Sequence, residues 1–331
     1  MAIMGRTSAG RTSSRIVATA LAIAALSACA GLDTRLPEIS APALASERTF
    51  QQGEALAEQA RLRARLVRVA DAVRVANAAL CPRTRLGIGV STHALDDYPK
   101  SLREAAAREF GAAEEPRIDV VVPGSPADDA GLLPGDALLV DGAAVSARSK
   151  RFRTTLNTGK MSVRRNGVVR VFDIAPRQEC DYGVSLSQTA DINAYANGRS
   201  ITMTRGMMNF VGSDDELALI LGHEMAHNTM GHVRKMVGNF ILSLGGTRYT
   251  RPFESEADYV GLYYLVRAGF DPDGVEDVWR RLGTQSPRAT SRAKTHPTTS
   301  QRFLAIEAAR AEIEAKRAAG EPLVPNFKAD S

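Results

Sequence analysis

Four of the five histidines in this 331-residue chain fall between positions 223 and 296, and two of them belong to the run His223-Glu224-Met225-Ala226-His227. At about 100° per residue, helix positions four apart lie about 40° apart around the axis and one turn along it, so both imidazoles reach one metal ion. Glu224 then stands beside that ion, where a carboxylate can take a proton from an attacking water. Imidazole nitrogens suit Zn2+, and a catalytic zinc site uses three protein ligands and keeps one position open. A third ligand is available in Glu254-Ser255-Glu256-Ala257-Asp258. Glu254 and Asp258 share a face at i and i+4, so the first can bind the ion while the second accepts a hydrogen bond from a ligand histidine. Glu256 points about 200° away from Glu254 and is the weaker candidate. The expected cofactor is one Zn2+ held by His223, His227 and Glu254.

Two helices must hold these side chains together. Residues 214–233 read as the first, with Ser213 as N-cap, Glu216 three residues on, and Leu217, Ile220 and Leu221 on an apolar face. The second continues from the acidic run through Val260, Leu262, Tyr263 and Val266. On a continuous helix His232 lies about 180° from His223, which gives it a structural role and removes it from the metal. Between the helices, Gly238, Gly245 and Gly246 supply the makings of a flap. A third long helix is expected over residues 47–80, where Leu62, Leu66, Val69, Val73, Ala76 and Leu80 form a stripe and Arg61, Arg63, Arg65, Arg68 and Arg74 a solvated face.

Together with Asn193-Ala194-Tyr195-Ala196, Thr204-Arg205-Gly206, Ala268-Gly269-Phe270-Asp271-Pro272 and Thr295-His296-Pro297 with Arg302, these runs resemble the gluzincin metallopeptidases. The family in question holds the CAAX prenyl endopeptidases, the heat-shock membrane protease X and their periplasmic and mitochondrial quality-control relatives. The resemblance implies a mainly helical zincin domain with a small sheet. It also implies that His296 lies near the zinc, either stabilising the oxyanion of the tetrahedral intermediate or occupying the metal's open position at rest. Arg302 is a second candidate for the same charge. Substrate is expected to lie extended against an edge strand, taken as residues 200–204.

Between residues 86 and 176 the period changes to that of strands. Apolar runs at 86–90, 118–122, 137–140 and 161–174 are short, and the last is broken by Asn166-Gly167, a strong hairpin signal. Gly124-Ser125-Pro126-Ala127, Ala130-Gly131-Leu132 and Gly135-Asp136 follow in the order seen in PDZ domains attached to bacterial periplasmic proteases, which this stretch resembles. By that resemblance Leu86, Gly87 and Ile88 form the loop that receives a peptide carboxylate, although Arg85 stands where an aromatic is common. The fold class expected is therefore α+β: a helical zincin domain plus a β-rich PDZ-like domain.

The N-terminus reads as an export signal, with Arg6, Arg11 and Arg15 ahead of an apolar stretch at 16–28 that is shorter than the roughly 20 residues of a spanning helix. Leu26-Ser27-Ala28-Cys29 resembles a bacterial lipobox, which implies a lipid on Cys29 and, with Ala30 following, an outer-membrane location in the periplasm. Most of the net charge of +5 rests on those three leader arginines, so bulk charge offers no argument for a nucleic-acid partner. The order of parts is a signal at 1–28, a tether at 29–46, a peptidase helix at 47–80, a PDZ-like insertion at 82–179, the metallopeptidase domain at 181–315 and a polar tail at 316–331. Cys81 and Cys180 flank the insertion, and in an oxidising compartment they are expected to pair. The function expected is zinc-dependent cleavage of misfolded or misassembled envelope polypeptides. The alternative is a PDZ adaptor or holdase with a structural zinc, a site that would have no need of Glu224.

Overall fold

The computed structural model describes residues 34, 36–235, 251–285 and 299–328. Cys29, His296 and the flap expected around 237–250 lie outside the described residues. Residues 1–48 and 49–331 form two units. In the first, residues 36–40 have no regular secondary structure and are exposed, and α1 begins at Ala41.

The long helix α1 spans Ala41–Ala76 and is followed by a 3-10 turn at Ala78–Leu80. It starts six residues earlier than its apolar stripe indicates, inside the stretch expected to be tether. The physical reason is local: Ser40 Oγ accepts from the Ala43 N–H at 3.3 Å, and Pro42 falls in the first turn, where its missing N–H costs nothing. Leu62, Leu66, Val69 and Val73 are buried as the stripe requires. Of the arginines expected on a solvated face, Arg61 is exposed and pairs only with Glu58 of the same helix, but the other four reach other elements. Arg65 and Arg68 reach Asp214 at 2.7 and 2.8 Å, Arg74 reaches Glu179 at 3.3 Å, and Arg63 pairs with Asp119 and donates to the Thr92 carbonyl at 2.9 Å. A helix of about ten turns with one apolar stripe still meets neighbours on its flanks, and long basic side chains reach them.

The β-rich region comprises β1 Thr84–Gly87, β2 Val90–His93, α2 Arg103–Phe110, β3 Arg117–Val121, α3 Pro126–Asp129, β4 Ala137–Val140, β5 Ala143–Ala144, α4 Lys150–Thr155, β6 Lys160–Arg165, β7 Val168–Asp173 and β8 Arg177–Cys180. Its strands form a four-stranded sheet in the order β5-β4-β6-β7 and two antiparallel pairs, β2-β3 and β1-β8. Asn166 and Gly167 have φ of 52° and 78°, the left-handed pair that closes the β6-β7 hairpin. The region packs its own core around Ile88, Ile118, Leu132, Leu138, Met161 and Val163.

After β8 come β9 Gly183–Ser187, β10 Ala194–Ala196, β11 Ser200–Thr204, α5 Arg205–Phe210, α6 Asp214–Thr229, α7 Arg251–Arg267, α8 Asp277–Gln285 and α9 Thr299–Ala319. Helix α9 therefore runs past residue 315, and the chain beyond it is tied back where Arg267 donates to the Leu323 carbonyl at 3.2 Å. The sheet order is β10-β11-β9, with β9 parallel and β10 antiparallel to β11. Residues 200–204 are consequently the central strand, paired on both sides, and cannot receive a substrate strand; β10 and β9 are the edges. Leu66, Val69 and Val73 of α1 share one core with Ile201, Met203, Leu217, Leu221, Val260, Tyr263 and Ile306. One chain of mixed α and β structure thus holds two principal cores, and Cys81 and Cys180, both packed in the helical one, are joined by a disulfide with Cα atoms 5.6 Å apart.

Candidate metal centre

Helix α6 starts as its sequence dictates: the Ser213 hydroxyl accepts from the Glu216 N–H at 3.2 Å, and Asp214, Asp215 and Glu216 lie in its first, positive turn. Its residues 216–228 are all buried, polar ones included. Burial of that extent is possible because α7 lies directly against it. A Cβ on Gly222 would meet the Gly261 carbonyl oxygen at 2.5 Å, and one on Gly261 would meet the His223 nitrogen at 2.6 Å. The two backbones touch at these glycines, which brings the acidic turn of α7 to the histidines of α6.

The donor atoms of His223, His227 and Glu254 all lie within 4.8 Å of one another, and all three residues are buried. Nε2 of His223 and Nε2 of His227 are 3.1 Å apart, and the Glu254 oxygens stand 3.6 Å from the first and 3.5 Å from the second. Ligands about 2.0–2.2 Å from a tetrahedral zinc are roughly 3.3–3.6 Å from each other, so this triangle fits the ion in size and in donor chemistry. Glu224, next to His223 on α6, is 8% exposed.

A shell of hydrogen bonds stands behind the triangle. Asp258 Oδ1 is 2.9 Å from His223 Nδ1, leaving Nε2 for the ion. Arg302 of α9 holds Asp258 with two bonds, Nε to Oδ2 at 2.8 Å and Nη2 to Oδ1 at 2.6 Å, and its guanidinium lies 3.4 Å over the Trp279 ring. Burial would raise the Asp258 carboxyl, but the Arg302 charge and the His223 hydrogen bond outweigh it and keep the group below its ordinary range. Burial and Arg302 push His223 down, yet the Asp258 and Glu254 carboxylates prevail and lift it to about 9. Burial above all, then the charge of His223, depresses His227 to about 3. Arg302, the second candidate for the oxyanion charge, sets its guanidinium against Asp258, and its Nη2 also lies 3.1 Å from His223 Nδ1.

Sequence reasoning missed Trp279, the Gly222–Gly261 contact and the true position of His232. Helix α6 ends at Thr229, and Gly231 takes φ of 67°, so the helical phase that sets His232 opposite His223 does not apply. His232 Nδ1 is 3.1 Å from His227 Nδ1, and its Nε2 is 2.7 Å from Glu256 Oε2.

The expected peptide loop is a separate place. Leu86 and Gly87 pair with Gln178 and Arg177 of β8, and the Ile88 side chain is buried in the β-rich core. Ile88 and Gly89 accept from the N–H groups of Ala127 and Val122 at 2.9 and 2.8 Å. The loop lines a cleft of about 130 Å³ whose other walls are α4, α1 and β9, and no residue of the metal triangle lines it.

Two packed helices carrying a buried His-His-Glu donor set with an adjacent glutamate have the constellation of a metal-dependent hydrolase. Residues 160–245 and 236–310 match the family model for peptidase family M48. The chain is 26% identical over 193 residues to the mitochondrial metalloendopeptidase OMA1 of Schizosaccharomyces pombe, covering 48% of this chain and 57% of that protein. It is 26% identical over 156 residues to the beta-barrel assembly-enhancing protease of Yersinia pestis, covering 36% and 32%. It is 25% identical over 154 residues to metalloprotease LoiP of Escherichia coli, covering 38% and 60%. The chain thus spans less than two thirds of the length of each of these relatives. The family match and the relatives' names support a metalloprotease hydrolase. Among the described residues no helix is long and apolar enough to cross a membrane.

Proposed function

We propose that this chain is a zinc-dependent endopeptidase of the bacterial envelope that cleaves misfolded or misassembled polypeptides. The observation that carries the reading is the buried triangle of His223, His227 and Glu254, of a size and chemistry that fit zinc, with Glu224 next to it on α6. When bound, zinc supplies Lewis-acid polarisation of the scissile carbonyl and makes water more acidic. Glu224 takes the proton of the attacking water and passes it to the leaving amine. Asp258 holds His223 in the tautomer whose Nε2 is free, and Arg302, stacked on Trp279, positions Asp258 without touching substrate. His296 is read as the group that stabilises the oxyanion. Substrate runs extended along β10, an edge strand whose Tyr195 is exposed.

Residues 82–179 are read as a PDZ-like module inserted between 47–80 and 181–315, with the amides of residues 86–88 as its carboxylate receptor. Its separate core and the Cys81–Cys180 disulfide at its two ends support this arrangement. A lipid on Cys29 would tether the enzyme in the periplasm at the outer membrane. The name of one relative, a beta-barrel assembly-enhancing protease, supports an envelope setting.

Chelation and repletion test the reading. Stripping the metal is expected to abolish cleavage of unfolded casein, and one equivalent of zinc to restore it, while His223→Ala retains no stoichiometric zinc. Cleavage that persists in the metal-free protein would overturn the proposal.

A further inference from the structure

The two ligand histidines are supported differently. His223 hands its Nδ1 directly to a carboxylate, Asp258. His227 does not: its Nδ1 faces another imidazole, His232 Nδ1, at 3.1 Å, and that ring's Nε2 faces Glu256 Oε2 at 2.7 Å. We propose that His232 and Glu256 form a positioning relay that sets the tautomer of His227 and thereby its Nε2 as a metal ligand. The inference rests on the metal-centre reading and extends it to two residues outside the donor set.

Proton counting leads to this assignment. For His227 to offer the Nε2 lone pair, its one proton must sit on Nδ1. That proton needs an acceptor, and the atom facing it is His232 Nδ1. His232 can accept there only if its own proton is on Nε2, and Nε2 faces the Glu256 carboxylate, which accepts and cannot donate when ionised. One assignment therefore satisfies both contacts: His227 Nδ1–H to His232 Nδ1, and His232 Nε2–H to Glu256. The reverse assignment would place a proton on His227 Nε2, against His223 and Glu254, and remove a ligand.

The packing serves the same end. His232 is 0% exposed, and Phe253 stacks on its ring with centroids 5.0 Å apart and planes 29° apart, so the ring has little freedom to turn. Gly231 at φ of 67° redirects the chain just past α6 to bring that ring back to His227. Helix α7 thus sends Glu254 to the ion, Asp258 to His223 and Glu256, on its other side, to His232. The 200° offset that disqualifies Glu256 as a ligand is what lets it reach this third histidine.

The test uses the full mature chain and reads zinc affinity by chelator competition, with the histidine tautomers of the metal-free protein read by two-bond 15N–1H NMR. In the wild type, His227 is expected as the Nδ1–H tautomer. His232→Phe, which keeps a buried ring, is expected to weaken zinc binding about 10–100-fold, and His232→Asn, whose Oδ1 can accept where Nδ1 did, to recover most of that loss. Glu256→Ala, on a side chain 42% exposed and so safe for folding, is expected to weaken zinc several-fold and to shift His227 toward Nε2–H. Wild-type affinity in both His232→Phe and Glu256→Ala would overturn the relay, as would an affinity loss in Glu256→Ala with the His227 tautomer unchanged. Failure of the wild type itself to bind zinc would instead overturn the metal-centre reading.

Discussion

The candidate metal centre and the loop at 86–88 are built on opposite principles. At the centre, each ligand's place follows from its own helix: His223 and His227 are one turn apart on α6, and Glu254 and Asp258 one turn apart on α7. At the loop, the local residues supply only a backbone, since Ile88 buries its side chain, and the walls come from α1 and β9, far off in sequence. The cleft that results, about 130 Å³, is below the roughly 300–1,000 Å³ of ordinary ligand pockets. A site made by helical phase is complete once two helices pack. A site made between layers depends on how closely those layers approach, and here α1 stands over the loop.

The largest effect is expected where the disulfide closes the neck of the bridged segment. Replacing Cys81 and Cys180 together by serine is expected to cost about 2–4 kcal/mol by denaturant unfolding, with about 4.7 as the chain-entropy ceiling for a loop of this size. Zinc content, read on the folded fraction, is expected to stay at wild-type level, because none of the donor set lies in the bridged segment. On the metal side, Gly261→Ala forces a methyl group into the α6 backbone. It is expected to cost about 1–3 kcal/mol and to weaken zinc binding, measured by chelator competition, as the helices part. Gly274→Ala, at another glycine of the same region with open space around it, should leave zinc binding alone and lose stability only through its positive φ.

Two smaller effects probe α1. Arg63 bridges Asp119 and the Thr92 carbonyl beside the loop. Arg63→Ala removes a cation from the cleft that residues 86–88 line and leaves Asp119 unpaired, so it is expected to weaken binding of a labelled peptide with a free C-terminal carboxylate by about a few-fold, read by fluorescence anisotropy. The smallest concerns Asp214. Burial raises its carboxyl, but hydrogen bonds from Arg65 and Arg68 outweigh this and lower it below its ordinary value. A depressed carboxyl contributes stability above its unfolded pKa and loses it as pH falls through the folded one. Asp214→Asn should therefore lower the melting temperature slightly at pH 7 and flatten the loss of stability below about pH 4, as followed by circular dichroism.

The legibility of each feature follows from how local its cause is. The donor triangle, the Asp258 contact and the β6-β7 hairpin were readable because helical phase and the Asn166-Gly167 pair are properties of short windows. Residues 200–204 were readable as a strand but not as a central one, since sheet order depends on which partners arrive from elsewhere. Arg63, Arg65, Arg68 and Arg74 of α1 read as solvated because their partners, Asp119, Glu179 and Asp214, lie 56 to 149 positions away. His232 was misplaced by one residue's geometry: a helix extrapolated through Gly231 carries it to the wrong side. Trp279 gave no signal at all, because its part in the site consists of lying under a guanidinium that comes from α9.

In the function proposed above, Glu224 does chemistry at a zinc ion it does not hold. The measurement is zinc content and casein cleavage on the same preparations of wild type and Glu224→Gln, an exchange that keeps the shape of the side chain and removes its basicity. About one zinc per chain is expected in both proteins, with cleavage by the variant reduced about 10²–10⁴-fold. Bound zinc with equal cleavage in both would contradict it.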